Sequence, residues 1–367
     1  MRIGIVGFAN VGKSTLFNLL LKSQRSATAN FPFTTVEPFT GILKISDSRL
    51  ENIGKTTNIE RLTPATIELT DIAGLVPGAH QGLGLGNQFL AKIREVDGII
   101  VALRAFSDEN VVSVTASTGA NDKAQLKNPD EEWELLKTEL ALADIKVLEG
   151  IIEKLTPKAR TGEAAAKKEI ARLEPLMKYL TDGKSDHKEV AELAINTSAP
   201  DMLMSKPRAM VMNTGDSDEE RAKGNDLKEL FVKKHPDSSK QVFALPIKIL
   251  NEALVDLGDA SMLSAYGIGE STLEDFIAGL RDAFSLITFY TCHGGKEVRA
   301  YRCIKGATAV SAAGKVHSDM EKGFINAEVT AYDDLAREGK VAFSHPKMAS
   351  KDYMVQDGDI LAIHFKN

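Results

Sequence analysis

The segment with the clearest chemical signature lies near the start of the chain, where GFANVGKST runs from Gly7 to Thr15. Its spacing fits GxxxxGK followed by Ser or Thr. In this pattern the glycines let successive backbone N–H groups face phosphate oxygens, the lysine supplies a point charge, and the hydroxyl holds Mg²⁺. The predicted phosphate-binding residues are Asn10, Val11, Gly12, Lys13, Ser14 and Thr15.

Two further segments predict the rest of a magnesium and γ-phosphate site. Residues 65–71 (ATIELTD) alternate like a strand and lead into DIAG, in which Asp71 could hold Mg²⁺ through water and the Gly74 N–H could sense the γ-phosphate. Upstream, the loop NFPFTTVEP carries Thr35, which we expect to close on Mg²⁺, with Thr34 as the alternative. Ordinary loop threonines are the competing interpretation. The expected metal ligands are Ser14, Thr35 and Asp71.

The group that orients the attacking water is missing from its usual place. Ras-like enzymes carry a glutamine after DxxG, whereas this chain has Leu75, which has no hydrogen-bonding group. We therefore expect hydrolysis to be slow or organised differently. His80 lies in the same glycine-rich segment and is a candidate to reach the water, with a surface histidine as the competing interpretation. Asn10 could help to bind a monovalent cation such as K⁺ beside the phosphates.

Base recognition is expected in the loop that follows the apolar stretch RAMVM (Arg208–Met212), where the sequence reads NTGD. This is a degraded form of NKxD. Asp216 keeps the carboxylate that guanine needs for its N1–H and N2–H₂ groups, but Thr214 replaces the lysine that packs on the base. Asn213 and neighbouring backbone could instead recognise adenine. Guanine, adenine and a turn without any role in base binding all remain open.

These motifs require strands and helices to position them. The apolar stretches RIGIV (Arg2–Val6), GIIVAL (Gly98–Leu103) and RAMVM predict buried strands of an α/β fold. From about Leu286 the sequence changes to short alternating segments, which predict a small mixed sheet with one or two short helices. Its predicted core aromatic residues are Tyr290, Tyr301 and Phe324.

A pair of helices is predicted between Leu103 and Arg208. The first would run from about Glu131 to Leu155, on the order of 35 Å, with LTPKARTGE as the turn before the second. We expect this hairpin to be a partner-binding projection, and a stabilising insertion with solvated charges is the competing interpretation. The apolar positions that carry the prediction are Trp133, Leu136, Leu140, Ala143, Val147, Ile170, Leu173, Met177 and Leu180.

Length and composition limit the class of protein. A chain of 367 residues favours two or three domains, and 43 % hydrophobic with 26 % charged residues excludes wholesale disorder. The net charge of -6 argues against coating of nucleic acid by bulk charge, yet allows a local basic patch. Two cysteines cannot build a disulfide framework, and no apolar run is long enough to span a bilayer. We expect a cytoplasmic monomer away from the membrane.

The motifs together resemble one known family. They are GFANVGKSTLFN, NFPFTTVEP, DIAGLVPGAHQGLGLGNQFL, ELALAD, AAGKVHSDMEKGFINAEV and DYMVQDGDI, spread over nearly the whole chain. The chain is similar to the YchF / Obg-like ATPase subfamily of P-loop, translation-factor-class G proteins. The resemblance implies a P-loop NTPase G domain of α/β class at residues 1–127 and 204–282. It further implies an inserted helical hairpin, or coiled coil, at 128–203 and a C-terminal α+β β-grasp (TGS) domain at 283–367.

The resemblance also implies an activity. Members belong by fold to the GTPases yet prefer ATP, and they carry a hydrophobic residue where Leu75 stands here. Relatives usually carry NxxE at the base motif, where this chain has Asp216, so a GTP-specific translation-associated GTPase remains the alternative. The implied partners are the ribosome or one of its subunits, and RNA or protein at the TGS face. The expected catalytic residues are Lys13, Gly74, Leu75 and His80, and the expected base-binding residues are Asn213, Thr214 and Asp216.

Overall fold

The computed structural model describes residues 1–22, 40–72, 74, 85–106, 128–236, 241–293 and 295–366. The candidate residues Thr34, Thr35, Leu75 and His80 lie outside these ranges. The strands are β1 (Arg2–Val6), β2 (Thr40–Ile45), β3 (Leu62–Thr63), β4 (Ala65–Asp71), β5 (Gly98–Ala105), β6 (Arg208–Thr214), β7 (Val242–Leu245), β8 (Leu286–His293), β9 (Glu297–Ile304), β10 (Phe324–Ala331), β11 (Lys347–Ala349) and β12 (Asp359–Phe365). The helices are α1 (Lys13–Lys22), α2 (Ser48–Thr57), α3 (Leu85–Glu95), α4 (Pro129–Arg160), α5 (Ala164–Thr181), α6 (His187–Ala194), α7 (Asp218–Lys234), α8 (Ile247–Asn251), α9 (Thr272–Ala283), α10 (Ala309–Val316), α11 (Ser318–Lys322) and α12 (Tyr332–Glu338).

The elements pack into two units. The larger unit comprises residues 2–41 and 69–276, and the smaller unit comprises residue 1 with 42–68 and 277–367. Residues 42–68, which the sequence assigned to the G domain, thus group with the C-terminal residues. Within the described ranges we find no helix that combines the length and apolar character of a bilayer-spanning segment.

A parallel sheet forms the centre of the larger unit. Its strands include β4-β1-β5-β6-β7 in that order, and β1, β5, β6 and β7 pair in parallel. Strands β5 and β6 are buried along their whole length, which agrees with the continuous apolar runs expected when both faces of a parallel sheet are covered. Ligands of such sheets bind outside the carboxyl ends of the strands, and the candidate residues lie at this edge, in the last residues of β4 and β6 or in the segments that follow β1, β4 and β6.

The predicted helical hairpin is confirmed, but its boundaries differ from the prediction. Helix α4 begins after Asn128, whose side chain accepts a hydrogen bond from the Asp130 N–H, and it continues to Arg160 through Pro157. The segment LTPKARTGE was predicted to be the turn, but only its last three residues, 161–163, lie between the two helices. Pro157 has no N–H to donate to the carbonyl four residues earlier, yet the helix continues for three more residues, and the chain reverses only at Gly162, whose φ of 99° favours glycine.

The buried stripe of the hairpin follows the predicted spacing with three exceptions. Ile170 is half-buried, and Leu176 is buried in place of the half-buried Met177. Val147 is 37 % exposed, and Leu148 takes the buried position instead. The base of the hairpin is fixed by the fully buried Asp144, which accepts hydrogen bonds from the N–H groups of Leu203 and Met204 at 3.0 and 2.8 Å. Burial raises the pKa of Asp144, while these two hydrogen bonds and Arg94 oppose the rise.

The smaller unit contains the predicted mixed sheet, in the strand order β11-β10-β12-β8-β9-β3. Strands β8 and β9 are antiparallel, whereas β12 pairs with β8 and β3 with β9 in parallel. Alternating residues of β8 enter cores on opposite faces of the sheet, with Phe289 on one side and Tyr290 on the other. The prediction of one or two short helices was too low, because α10, α11 and α12 all pack here, with a 3₁₀ segment at Gly339–Ser344.

Candidate functional site

The loop between β1 and α1 needs glycine at two places. A Cβ built on Gly7 would lie 2.5 Å from the Ala102 carbonyl oxygen, so β5 leaves no room for a side chain. Gly12 has a φ of 98°, and a Cβ there would lie 2.5 Å from the Asn213 side-chain nitrogen. The predicted loop thus passes close to the ends of β5 and β6. Asn10 also has a positive φ, of 63°, so the loop turns sharply before α1.

Lys13 lies at the first position of α1 and is 8 % exposed. Its Nζ donates a hydrogen bond to the Phe8 carbonyl oxygen at 2.7 Å, which spans the loop. Burial lowers the pKa of Lys13, and the charges of Asp71 and Glu132 oppose this shift. A Cβ built on Gly74 would lie 3.2 Å from Lys13 Nζ and 3.0 Å from the Ala9 N–H nitrogen. The structure therefore brings Gly74 against the loop and its lysine.

Two of the three expected metal ligands meet at this edge of the sheet. Ser14 Oγ donates a hydrogen bond to Asp71 Oδ2 at 2.6 Å, and the Ser14 side chain is exposed. A hydroxyl and a carboxylate offer the hard oxygen ligands that Mg²⁺ prefers, so these residues fit the ion that the sequence implies. Thr35 lies outside the described residues, and Thr15 is half-buried beside Ser14.

The NTGD segment at the end of β6 contacts the phosphate loop. Asn213 Nδ2 donates to the Val11 carbonyl oxygen at 3.1 Å, and Asn213 Oδ1 accepts from the Ile247 N–H at 3.3 Å. This side chain therefore ties together the phosphate loop, β6 and the start of α8. Thr214 faces α7, because a Cβ on Gly224 would lie 2.4 Å from Thr214 Cγ2. Asn213 and Thr214 are both buried.

Asp216 lies just beyond, with its side chain 43 % exposed. Its backbone N–H donates to Glu220 Oε2 at 3.2 Å, and its carbonyl oxygen accepts from Arg221. Ser217 and Glu220 form a capping box at the start of α7, which fixes the loop from the other side. These contacts hold the Asp216 backbone and leave its carboxylate at the surface.

One contact of this carboxylate was not predicted from the sequence. Lys248 Nζ donates to Asp216 Oδ2 at 2.6 Å, and the lysine side chain is 75 % exposed. Lys248 is the second residue of α8, the short helix that follows β7, so it too lies at the carboxyl edge of the sheet. Its position after a buried strand was the available signal, although nothing in the sequence pairs it with Asp216.

The structure thus brings together most of the predicted site. Leu75 and His80 fall outside the described residues, so the catalytic roles expected of them stay predictions. The residues that the structure places around one edge of the sheet are Asn10, Val11, Gly12, Lys13, Ser14, Thr15, Asp71, Gly74, Asn213, Thr214 and Asp216.

The chain matches two family models, one at each end, and several known proteins over nearly its whole length. Residues 2–132 match a family described as a 50S ribosome-binding GTPase, and residues 286–366 match the YchF-GTPase C-terminal family, described as a protein of unknown function. The chain is 37 % identical over 372 residues to the ribosome-binding ATPase YchF of Haemophilus ducreyi, covering 99 % of each chain. It is 35 % identical to the protein of that name from Escherichia coli O157:H7, again with 99 % of each covered.

A solved structure is similar over the same length. The Schizosaccharomyces pombe YchF GTPase matches with a TM-score of 0.72 and 27 % identity, covering 99 % of this chain and 97 % of that one. These similar proteins are named after different nucleotides: the two bacterial proteins are called ATPases, and the Schizosaccharomyces pombe protein is called a GTPase.

Proposed function

The chain belongs to the YchF family, and from this premise we propose that it is a Mg²⁺-dependent ATPase switch. It hydrolyses the β–γ phosphoanhydride slowly and couples its nucleotide state to the ribosome. The observation that carries the proposal is the convergence of Lys13, Ser14 and Asp71, with Ser14 Oγ 2.6 Å from Asp71 Oδ2. These three groups match the charges and ligands that a magnesium triphosphate requires.

The reaction follows from these positions. Mg²⁺, when bound, neutralises the charge that develops on the β and γ phosphates. Ser14 Oγ would ligate the ion directly and Asp71 through water. Water attacks the γ-phosphorus, the bond to the β–γ bridging oxygen breaks, and ADP and inorganic phosphate leave. When the nucleotide binds, Lys13 Nζ gives up its hydrogen bond to the Phe8 carbonyl oxygen and donates to phosphate oxygens instead. Because Lys13 is buried, the electrostatic attraction between its ammonium group and the phosphates is stronger than it would be in water.

The slow rate rests on Leu75, because this side chain cannot orient water. His80 is proposed to reach the water from the same glycine-rich segment. Asn10 is proposed to help bind K⁺, which would supply charge beside the phosphates. The Gly74 N–H is proposed to report the γ-phosphate, and its close approach to Lys13 supports this role. Thr35 is proposed to close on the same ion.

The preference for ATP rests on the ion pair between Lys248 and Asp216. Guanine binding needs this carboxylate to accept hydrogen bonds from both N1–H and N2–H₂. Here Asp216 Oδ2 already accepts from Lys248 Nζ at 2.6 Å, so guanine would have to compete with an ammonium group. Adenine makes no such demand on a carboxylate, and its exocyclic amine needs only one acceptor. The pair therefore disfavours guanine more than adenine.

The second candidate is a GTP-specific translation-associated GTPase. The observation that favours it is the exposed Asp216 carboxylate itself, which lies at the carboxyl edge of the sheet where an NKxD aspartate is expected. Competition between ATP and GTP for one site separates the two candidates. A site that binds GTP more tightly than ATP would favour the second.

The proposed partner is the ribosome, as the names of the bacterial relatives state for those proteins. We assign the nucleotide to a G domain at 1–127 and 204–282, and contact with the partner to the hairpin at 128–203 and the TGS domain at 283–367. The TGS domain could meet ribosomal RNA or protein. We further propose a monomer that works in the cytoplasm.

Turnover tests the proposal directly. Phosphate release from MgATP and MgGTP should be measured with and without ribosomes, using Lys13→Ala as the reference for lost catalysis. We expect slow ATP turnover by the wild type, faster turnover with ribosomes, and near-complete loss in Lys13→Ala. A nucleotide-loaded protein that is inert under every condition would instead indicate a scaffold whose fold the nucleotide merely stabilises.

A further inference from the structure

The end of the helical hairpin carries an unusual concentration of positive charge. Residues 154–168 (KLTPKARTGEAAAKK), here called the basic tip, hold five basic residues and one acidic residue, Glu163, in a chain of net charge -6. All five basic side chains are exposed. The basic residues are Lys154, Lys158, Arg160, Lys167 and Lys168.

The stability of the hairpin explains only part of this charge. Within the described parts of the chain, none of the five basic side chains forms an ion pair or hydrogen bond, whereas Arg172 in the same helix pairs with Glu169. Lys158 and Arg160 suit the end of α4, where the helix dipole favours cations. Lys167 and Lys168 lie near the start of α5, where the dipole opposes them.

The start of α5 is weak in other respects as well. Its first turn contains no acidic residue, and Glu163 at the N-cap makes no side-chain hydrogen bond to the helix. A helix start selected for stability would carry a capping side chain and acidic residues at these positions. Lys167 in the first turn, followed directly by Lys168, instead costs helix stability. Departures from favourable capping and charge at a helix start are expected where the surface serves binding.

The basic tip also lies far from the sheet. Helix α4 contacts the sheet at Glu132, whose carboxylate accepts a hydrogen bond from the Arg104 N–H of β5 at 2.8 Å. It is still held to the rest of the larger unit at Asp144, which accepts hydrogen bonds from the N–H groups of Leu203 and Met204. At 1.5 Å per residue, Arg160 lies about 24 Å beyond Asp144 along the helix. The tip is therefore placed to contact a large partner. It does not form part of the nucleotide site.

We propose that the basic tip binds the phosphate backbone of RNA. The segment contains no aromatic residue, and its large apolar side chain, Leu155, packs against the hairpin core. Protein partners are usually anchored by buried aromatic and apolar side chains, whereas phosphate binding needs only lysine and arginine. The ribosome supplies such a backbone, so this inference rests on the proposed function for its biological partner.

The test neutralises the tip without changing its helices. The tip variant is Lys158→Gln, Arg160→Gln, Lys167→Gln and Lys168→Gln combined in the full chain. The control variant is Lys178→Gln, Lys188→Gln, Lys223→Gln and Lys233→Gln, which removes the same charge from exposed positions elsewhere in the larger unit. Binding is measured by anisotropy with a labelled RNA duplex of about 20 base pairs, long enough for two successive grooves, and by co-sedimentation with salt-washed ribosomes, each at several KCl concentrations.

We expect the tip variant to bind duplex and ribosomes at least about tenfold more weakly near 0.1 M salt. Its plot of log affinity against log salt should be flatter by roughly 2 to 4, since each lost phosphate contact removes about 0.9. The control variant should resemble the wild type. The melting temperature of the tip variant should be close to that of the wild type, because the loss of two charges that the dipole of α4 favours, at Lys158 and Arg160, is offset by the loss of unfavourable charge near the start of α5.

Three results would overturn the inference. The first is a tip variant with wild-type affinity and salt dependence, and the second is an equal loss in the control variant. The third is loss of ribosome co-sedimentation when even the wild type does not bind the duplex, since this would indicate an acidic protein surface. Nucleotide turnover without ribosomes is measured on the same samples, so failure of the proposed ATPase activity is scored separately from failure of RNA binding.

Discussion

At the scale of single residues, the site depends on a few polar groups held at the carboxyl edge of the parallel sheet. Ser14 and Asp71 are joined by a 2.6 Å hydrogen bond, and Lys13 bonds to the loop carbonyl of Phe8. Each of these groups has a partner within the protein that a magnesium triphosphate would replace. The polar groups are thus already in place for a bound nucleotide. Substitution of the two magnesium ligands, Ser14 and Asp71, should affect hydrolysis, whereas substitution of Lys13 should affect nucleotide binding.

Loss of a magnesium ligand should affect hydrolysis more than nucleotide binding. We expect Ser14→Ala and Asp71→Asn to lower Mg²⁺-dependent ATP turnover by about 10- to 100-fold, the usual range for residues that hold or orient a metal. The backbone N–H groups and Lys13 would still hold the phosphates. ADP affinity measured in EDTA is the control, and it should match the wild type. Wild-type turnover in both variants would remove these residues from the metal site.

Lys248 should influence the choice of base. In Lys248→Ala the Asp216 carboxylate loses its ammonium partner, so guanine no longer competes for Oδ2. Because both side chains are well exposed, the pair is worth about 1 kcal/mol at most, which predicts a shift of about fivefold in the ATP-to-GTP affinity ratio towards GTP. Lys248→Arg keeps the charge and should keep the wild-type ratio. An unchanged ratio in Lys248→Ala would contradict the account of base preference.

At the scale of elements, periodic patterns identified β1, β4, β5 and β6 and the hairpin, because buried strands and long amphipathic helices have strong local signals. The end of α4 was misplaced because the segment LTPKARTGE is rich in Lys, Arg and Gly, although the helix runs through Pro157 to Arg160. Strand β3 could not be predicted, since its two residues gain their structure only by pairing with Val298 and Arg299. Phosphate-loop residues were predictable from spacing, whereas the Lys248 contact depends on the fold.

Helix α2 is joined to the sheet of the smaller unit by an ionic network. Arg49 bonds to Asp47 and to Asp357, at 2.9 Å to each, and Tyr290 donates to Asp47 at 2.8 Å. Burial alone would raise the pKa of Asp47, but the hydrogen bonds from Arg49 and Tyr290 outweigh it and lower the pKa. The network therefore adds stability above the unfolded carboxyl pKa near 3.8. That stability is lost as the pH falls through the lower folded value.

The substitution Arg49→Met tests this network. At pH 7 we expect it to lower the protection of β8 and β12 amides in hydrogen exchange by about 1 to 3 kcal/mol, since hydrogen bonds to charged groups carry such values. As the pH falls below about 3.8, the wild type should lose its advantage and the two proteins should converge. The exposed Arg337→Met is the matched control. A pH-independent difference would exclude the carboxylates as its cause.

At the scale of the whole molecule, the chemistry and the proposed RNA contact lie in different parts of the larger unit. The nucleotide site occupies the sheet edge, and the basic tip lies about 24 Å along α4 from Asp144, where the base of the hairpin is fixed. The smaller unit has its own mixed sheet and cores on both faces. Nucleotide hydrolysis and RNA binding can therefore be removed by separate substitutions. The proposed switch nevertheless requires a bound triphosphate.

Titration calorimetry of MgATP into the intact chain therefore tests the central claim most directly. We predict one saturable site in the wild type and a strong loss of affinity in Lys13→Ala, whose folding is checked by its melting temperature. Removing this lysine also removes a buried charge, so the variant should remain folded. Absence of binding heat in folded wild type, or identical isotherms for the wild type and Lys13→Ala, would contradict the account.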